Sequence, residues 1–295
     1  MADGSAASDV ESPGASQGFS PSGPRGWAGL SLDRPRLMGI VNVTPDSFSD
    51  GGQFAETSAA IEHGLRLVEE GADVVDVGGE STRPGANPVS VAEEIDRTIP
   101  VVAALAKAGA RVSIDTRRAE TMDAAINAGA AIVNDVTALT GDPDSTAVVA
   151  RRRVPVVLMH MQGEPRTMQA EPQYDDAVAD IRGYLAERLA ACLKAGIEPD
   201  AIALDPGIGF GKTVAHNLEL LRGLPTLASL GRPILVGASR KSFIGKLSGD
   251  APATERLGGS LAAALFAAAN GARLLRVHDV AETRQALAIW QALDA

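Results

Sequence analysis

The stretch VSIDTRRAETMDAAINAGAAIVND, residues 112–135, holds one complete repeating unit of the chain. Val112 to Ile114 is a short aliphatic run that ends on a carboxylate, Asp115, and Ala119 to Asn127 follows with helical spacing. Gly129 stands where a helix closes on a left-handed residue, and Ile132 to Asn134 begins the next aliphatic run. Read as strand, helix, strand, the unit repeats in both directions. Upstream lie the runs Leu37 to Val43 and Val74 to Val77; downstream lie Val156 to Met159, Ile202 to Leu204, Ile234 to Val236 and Leu274 to Val277. Helical patterns such as Ser58 to Glu70, Val91 to Lys107, Tyr174 to Lys194 and Glu255 to Asn270 separate them, with Gly71, Gly109, Gly196 and Gly271 at further helix ends. About eight βα units with no linker between them imply an α/β protein with a single closed (β/α)8 TIM barrel over 35–295, rather than an open doubly wound sheet.

The composition agrees. The chain of 295 residues is 45% hydrophobic and only 3% aromatic, so Ala, Val, Leu and Ile must fill the core, as suits parallel strands covered by helices. Residues 1–34 are rich in Gly, Ser, Pro and Ala and carry no basic start followed by an apolar block, so they read as a disordered extension rather than a signal peptide. The net charge of −10 argues against a nucleic-acid partner, because phosphate neutralisation needs an excess of Lys and Arg. No apolar run approaches the roughly 20 residues of a membrane span. The single cysteine, Cys192, cannot form an internal disulfide or a thiolate zinc site, which fits a reducing cytoplasmic setting.

The strands end on polar groups: Asn42, Asp76 running on to Glu80, Asp115, Asn134 with Asp135, His160, Asp205, Ser239 with Arg240 and Lys241, and Arg276 with His278. Any one of these could simply cap the following helix. Their recurrence at successive strand tops, where the loops of a barrel meet, implies one ligand site. Carboxylates and a carboxamide beside cations suit a flat heterocycle rich in donors and acceptors, together with an anion. The glycine-rich loops Thr44 to Phe54 and Gly78 to Pro88 are expected to act as lids. The segment DPGIGFGKT, residues 205–213, only imitates a nucleotide-binding P-loop, since Pro206 stands where that motif needs glycine; its glycines let the backbone turn beside a ligand, with Phe210 available for stacking.

Across 36–295 the segments NVTPDSFSDGG, GGESTRPG, MHMQGEPRTMQ, DPGIGFGK, SRKSF and RVHD occur in the order in which they mark the dihydropteroate synthase family, which the chain resembles. The resemblance implies a transferase of folate biosynthesis that condenses (7,8-dihydropterin-6-yl)methyl diphosphate with 4-aminobenzoate, releasing diphosphate. It implies that Asp115, Asn134, Asp205 and Lys241 line a deep pterin pocket walled by Met159, Phe210 and Gly237. Asn42, Arg276 and His278 are implied to hold the diphosphate, with Mg²⁺ as cofactor reached through Asn42. Asp50 belongs by resemblance to the first loop and Thr82 and Arg83 to the second; Asp50, Arg83, Asp115 and Lys241 are the catalytic candidates. Sulfonamide sensitivity and a homodimer are further implied, the latter consistent with the apolar helical segment Leu257 to Asn270. A pterin-binding methyltransferase and a silent pterin-binding paralogue compete with this reading, and the SRK and RVHD segments count against both.

Overall fold

Aliphatic runs that are apolar on both faces can satisfy their backbone only beside like neighbours and under a helical cover. In the computed structural model, which describes residues 24–44, 52–81, 88–163 and 167–294, they do so by closing on themselves. A short antiparallel pair, β1 (Gly26–Trp27) and β2 (Leu30–Ser31), precedes the barrel strands. These are β3 (Arg36–Asn42), β4 (Val74–Gly78), β5 (Val112–Asp115), β6 (Ile132–Asp135), β7 (Val156–Met159), β8 (Ile202–Asp205), β9 (Ile234–Val236) and β10 (Ala272–Val277). All neighbours are parallel, and β10 pairs with β3 to complete the expected barrel. Between the strands run α1 (Gly52–Glu70), α2 (Val91–Lys107), α3 (Ala119–Asn127), α4 (Ser145–Arg152), α5 (Ala177–Lys194), α6 (Val214–Arg222), α7 (Leu224–Ala228), α8 (Ser242–Leu247) and α9 (Leu257–Ala269), and α10 (Val280–Asp294) ends the chain.

Side chains alternate along a strand, so residues two apart share a face. That rule stacks the barrel interior in layers. Met38, Val74, Ile132, Val157, Ala203, Leu235 and Leu274 form one apolar cluster at the lower level. One step higher on the same faces stand Asp76 above Val74, Asn134 above Ile132, Met159 above Val157, Asp205 above Ala203, Gly237 above Leu235 and Arg276 above Leu274. On β5 the same step leads from Ser113 to Asp115.

The lower end is closed by the segment before β3. Trp27 is 2% exposed, its indole Nε1 donates to Ala201 O at 3.0 Å, and it packs with Leu32 into the same apolar cluster. Arg34 and Arg36 both reach Asp73, at 2.7 and 3.2 Å. The disordered extension expected over 1–34 therefore does not hold for 24–34, which pack as part of the barrel. Composition averaged over a Gly/Ser/Pro-rich stretch hides one tryptophan and one leucine that find an apolar floor.

Local signals set the helix ends. The expected helix from Tyr174 starts at Ala177 instead, because Asp176 accepts hydrogen bonds from Val178 N and Ala179 N and so caps it. Gly129 closes α3 at φ 112°, and a Cβ there would meet Ala106 Cβ at 2.7 Å. On α9, Ala263, Ala264, Ala267 and Ala268 are buried while Leu257 and Phe266 are exposed. Among the described residues no helix is long and apolar enough to cross a membrane.

Candidate active site

The strand tops surround a cavity lined by Asp115, Asn134, Met159, Asp205, Phe210, Gly237, Lys241, Arg276 and His278. Nine residues expected at the site from sequence are thus brought together. Asn42, in register with Gly78, closes β3 half-buried at the same end of the barrel. Asp50, Thr82 and Arg83 lie outside the described residues.

The centre of the cavity is an ion network. Arg276 Nε donates to Asp76 Oδ2 at 2.6 Å and its Nη2 to Asp115 Oδ2 at 2.8 Å; Asn134 Nδ2 donates to the same Asp76 oxygen at 3.0 Å. Asp76 is wholly buried, and a carboxylate in that position is tolerated because a guanidinium meets it directly. Its other oxygen, Oδ1, has no hydrogen-bond partner among the described residues. Burial pushes Asp115 up to about 7, with Arg276 opposing and Asp76 reinforcing the rise. For Arg276 burial favours the neutral form, yet Asp76 and Asp115 outweigh it and hold the guanidinium more firmly charged.

Asp205 is raised to about 6 by burial, against the pull of the Gly207 N–H, which reaches its Oδ1 at 2.7 Å, and of Lys241. Lys241 is brought down to about 7 by burial, Asp205 resisting. Its Nζ donates to Ile208 O at 2.8 Å and stands 3.9 Å from the centre of the Phe210 ring. The glycines between Asp205 and Lys212 are required by space: Gly207 has φ 69°, and a Cβ on it would lie 1.9 Å from His160 O. The result is a carboxylate, a carboxamide and an aromatic face beside two cations, in a site where protons are poised near neutrality.

At the tops of β9 and β10, Ser239 Oγ accepts from His278 N at 3.3 Å and contacts His278 Nδ1 at 3.0 Å. The hydroxyl shares one hydrogen bond with Nδ1 and takes another from the amide, so it holds the imidazole at the strand top whichever ring nitrogen carries the proton. Arg240 is turned away from ligand chemistry: its Nε meets Asp279 at 3.1 Å, its N–H meets Ser260 Oγ at 2.9 Å, and Arg256 donates to its carbonyl. It fastens the SRK segment to the RVHD segment.

For some strand-top groups the bland explanation wins. Asp135 accepts from Thr137 N, Thr137 Oγ1 and Leu139 N, so it builds the turn after β6. Glu80 pairs with Arg117 and Arg118. His160 meets Lys212, not the cavity centre. Conversely, Asp76, read from the sequence only as one of the strand-top polar groups, proves central; its phase, two residues after Val74, places it on the cavity face.

A family model described as pterin binding enzyme matches residues 38–278. The dihydropteroate synthase of Neisseria meningitidis serogroup B is 50% identical over 270 residues, covering 90% of this chain and 94% of that protein. The Xanthomonas albilineans dihydropteroate synthase solved with 4-aminobenzoic acid is 54% identical with a TM-score of 0.86, covering 91% of this chain and 97% of that one. The same enzyme solved with 7,8-dihydropteroate gives 51% identity and a TM-score of 0.82, over 90% and 96% of the two chains. With the cavity geometry and these matches in agreement, the chain belongs to the pterin binding enzymes and, among them, to the dihydropteroate synthases.

Proposed function

We propose that the cavity joins the dihydropterin methylene to the amine of 4-aminobenzoate by dissociative substitution. The bond from the methylene carbon to the diphosphate oxygen breaks with its electron pair leaving on oxygen. The arylamine nitrogen then adds to the carbon and loses a proton. An arylamine is already neutral near pH 7, so charge stabilisation rather than a strong base is what the chain must supply. The observation that carries this reading is the convergence of Asp205, Asn134, Phe210, Lys241 and Arg276 on one cavity.

Asp205 and Asn134 accept from and donate to the amino and ring-nitrogen edge of the pterin, while Met159, Phe210 and Gly237 wall it. Asp115, held by Arg276, faces the charge that develops on the pterin as the diphosphate departs. His278 and Arg276 stabilise the departing anion; the following N-terminus of α10 adds to the favourable field. Among the described residues no three His, Cys, Asp or Glu side chains converge as a metal cage. A lone carboxamide at Asn42 fits Mg²⁺ held mainly by diphosphate oxygens and water, where it would offset the leaving group's charge. Asp50, Thr82 and Arg83 are assigned to the catalytic loops by resemblance alone.

Sulfonamides, as mimics of 4-aminobenzoate, are expected to compete with it. Exposed Leu257 and Phe266 on α9, with Ile289 and Leu293 on α10, support a homodimer built on these helices; a purely monomeric species in analytical ultracentrifugation at micromolar concentration would remove that part. The deciding experiment measures diphosphate release from the pterin diphosphate with and without 4-aminobenzoate and Mg²⁺. Mg²⁺-dependent release coupled to dihydropteroate is expected. Pterin bound without release would leave only a pterin-binding protein.

A further inference from the structure

The loop from β8 to α6 carries four consecutive carbonyls, and a side chain donates to each. Lys241 Nζ meets Ile208 O at 2.8 Å, Gln169 Nε2 meets Gly209 O at 2.5 Å, Lys212 Nζ meets Phe210 O at 2.9 Å and Tyr174 OH meets Gly211 O at 2.8 Å. A loop has no ladder for its carbonyls, so side chains from outside determine where its backbone sits.

Lys212 differs from the others in being almost wholly buried, at 3% exposure. Burial brings Lys212 down to about 7, with Asp205 resisting; when protonated, its three N–H groups have three acceptors within reach, Phe210 O, His160 O at 3.4 Å and His160 Nδ1 at 3.1 Å. Among the described residues no carboxylate pairs with it directly; an apolar side chain of equal length would fill the space without the cost of burying a charge. What the ammonium adds is a tie between the end of β7 and the carbonyl of the residue whose ring walls the cavity. Burial, with the Lys212 charge, draws His160 down to about 3, so the imidazole stays neutral and able to accept.

We propose that Lys212 is a positioning residue for pterin binding: by fixing the Phe210 carbonyl to His160, it sets the Phe210 ring beneath Lys241 and beside Asp205. The proposal rests on the reading that the pterin occupies this cavity.

The test uses the full chain with Lys212→Met. KM for the pterin diphosphate is expected to rise on the order of tenfold to a hundredfold, the loss of a charge-assisted hydrogen bond, while KM for 4-aminobenzoate at saturating pterin diphosphate stays unchanged. A lowered Tm with both KM values unchanged would reduce Lys212 to a stabilising contact and overturn the proposal. If Lys212→Met does not fold, His160→Leu, which removes the Nδ1 acceptor, decides: a severalfold rise in KM for the pterin diphosphate with that for 4-aminobenzoate unchanged supports the tie, and both KM values unchanged overturn it. Failure of the unaltered protein to bind pterin would instead overturn the functional reading itself.

Discussion

The lower and upper layers of the barrel interior come from the same strands, two residues apart, and their chemistry is opposite. Below, Val74, Ile132, Val157, Ala203, Leu235 and Leu274 pack with Trp27 into a dry floor. Above, Asp76, Asn134, Asp205 and Arg276 occupy the corresponding faces with charge and amide groups. Burying the lower set contributes stability in proportion to apolar area, at about 25 cal/mol per Å². Burying the upper set costs desolvation that pairing only partly offsets, as the raised Asp115 and Asp205 and the lowered Lys241 record. Half a turn of pleat therefore separates residues that hold the fold from residues that hold a ligand, and substitutions at the two levels should separate stability from activity.

The largest effect is expected above. Asp205→Asn keeps an acceptor for the Gly207 N–H but removes the charge facing the pterin edge, so kcat/KM for the pterin diphosphate should fall on the order of a hundredfold or more, the loss of charged hydrogen bonds. Thermal unfolding should be little changed; a protein that unfolds early with kcat/KM intact would erase the contrast between layers. The mirror experiment is below. Trp27→Ala should cost about 3–5 kcal/mol in stability by denaturant unfolding, with kcat/KM unaltered at temperatures where the variant is folded. A loss of pterin affinity in folded Trp27→Ala would show that the floor also shapes the site.

A pH series sharpens the comparison further. Asp205 must be ionised to accept from the ring N–H groups, and its carboxyl titrates at about 6. Affinity for a pterin lacking phosphate should therefore rise as pH increases through that value and fall by up to about tenfold per unit below it. Calorimetry from pH 5 to 8 reads this, and the acid limb should vanish in Asp205→Asn; a limb that survives belongs to another group. The smallest effect concerns an exception in the lower level. Ser113 is buried with no partner for its Oγ among the described residues. Ser113→Ala should stabilise by about 1 kcal/mol, and a clear destabilisation would mean that the hydroxyl has a partner.

Much of this was legible in the chain. Strands buried on both faces give unbroken aliphatic runs, so Val156–Met159 and Ile234–Val236 have the bounds their sequence implies, and α2 and α3 coincide with their helical patterns. Residues after such runs were recognisable as a site because polar groups recur there. Asp76 was counted among the polar strand tops, but its pairing with Arg276 was not legible, because Val74, Val75 and Val77 surround it and its partner lies 200 residues away. His160 was read as a strand-top group of the ligand site, but its pairing with Lys212 was not, because nothing local distinguishes a buried lysine from one that caps a loop in water.

The sequence by itself determined the alternation of strands and helices, the level at which apolar residues give way to polar ones, and the family, because all three are written in local patterns and short segments. The tertiary structure alone decided how each polar group is used. Asp135 is consumed by its own turn, Arg240 by Asp279, and Lys212 by two carbonyls and an imidazole. Asp76 and Arg276 meet from positions 200 residues apart. Closure of the barrel brings such groups within hydrogen-bond reach, and that contact, absent from any local stretch of chain, fixes which charges remain for the ligand.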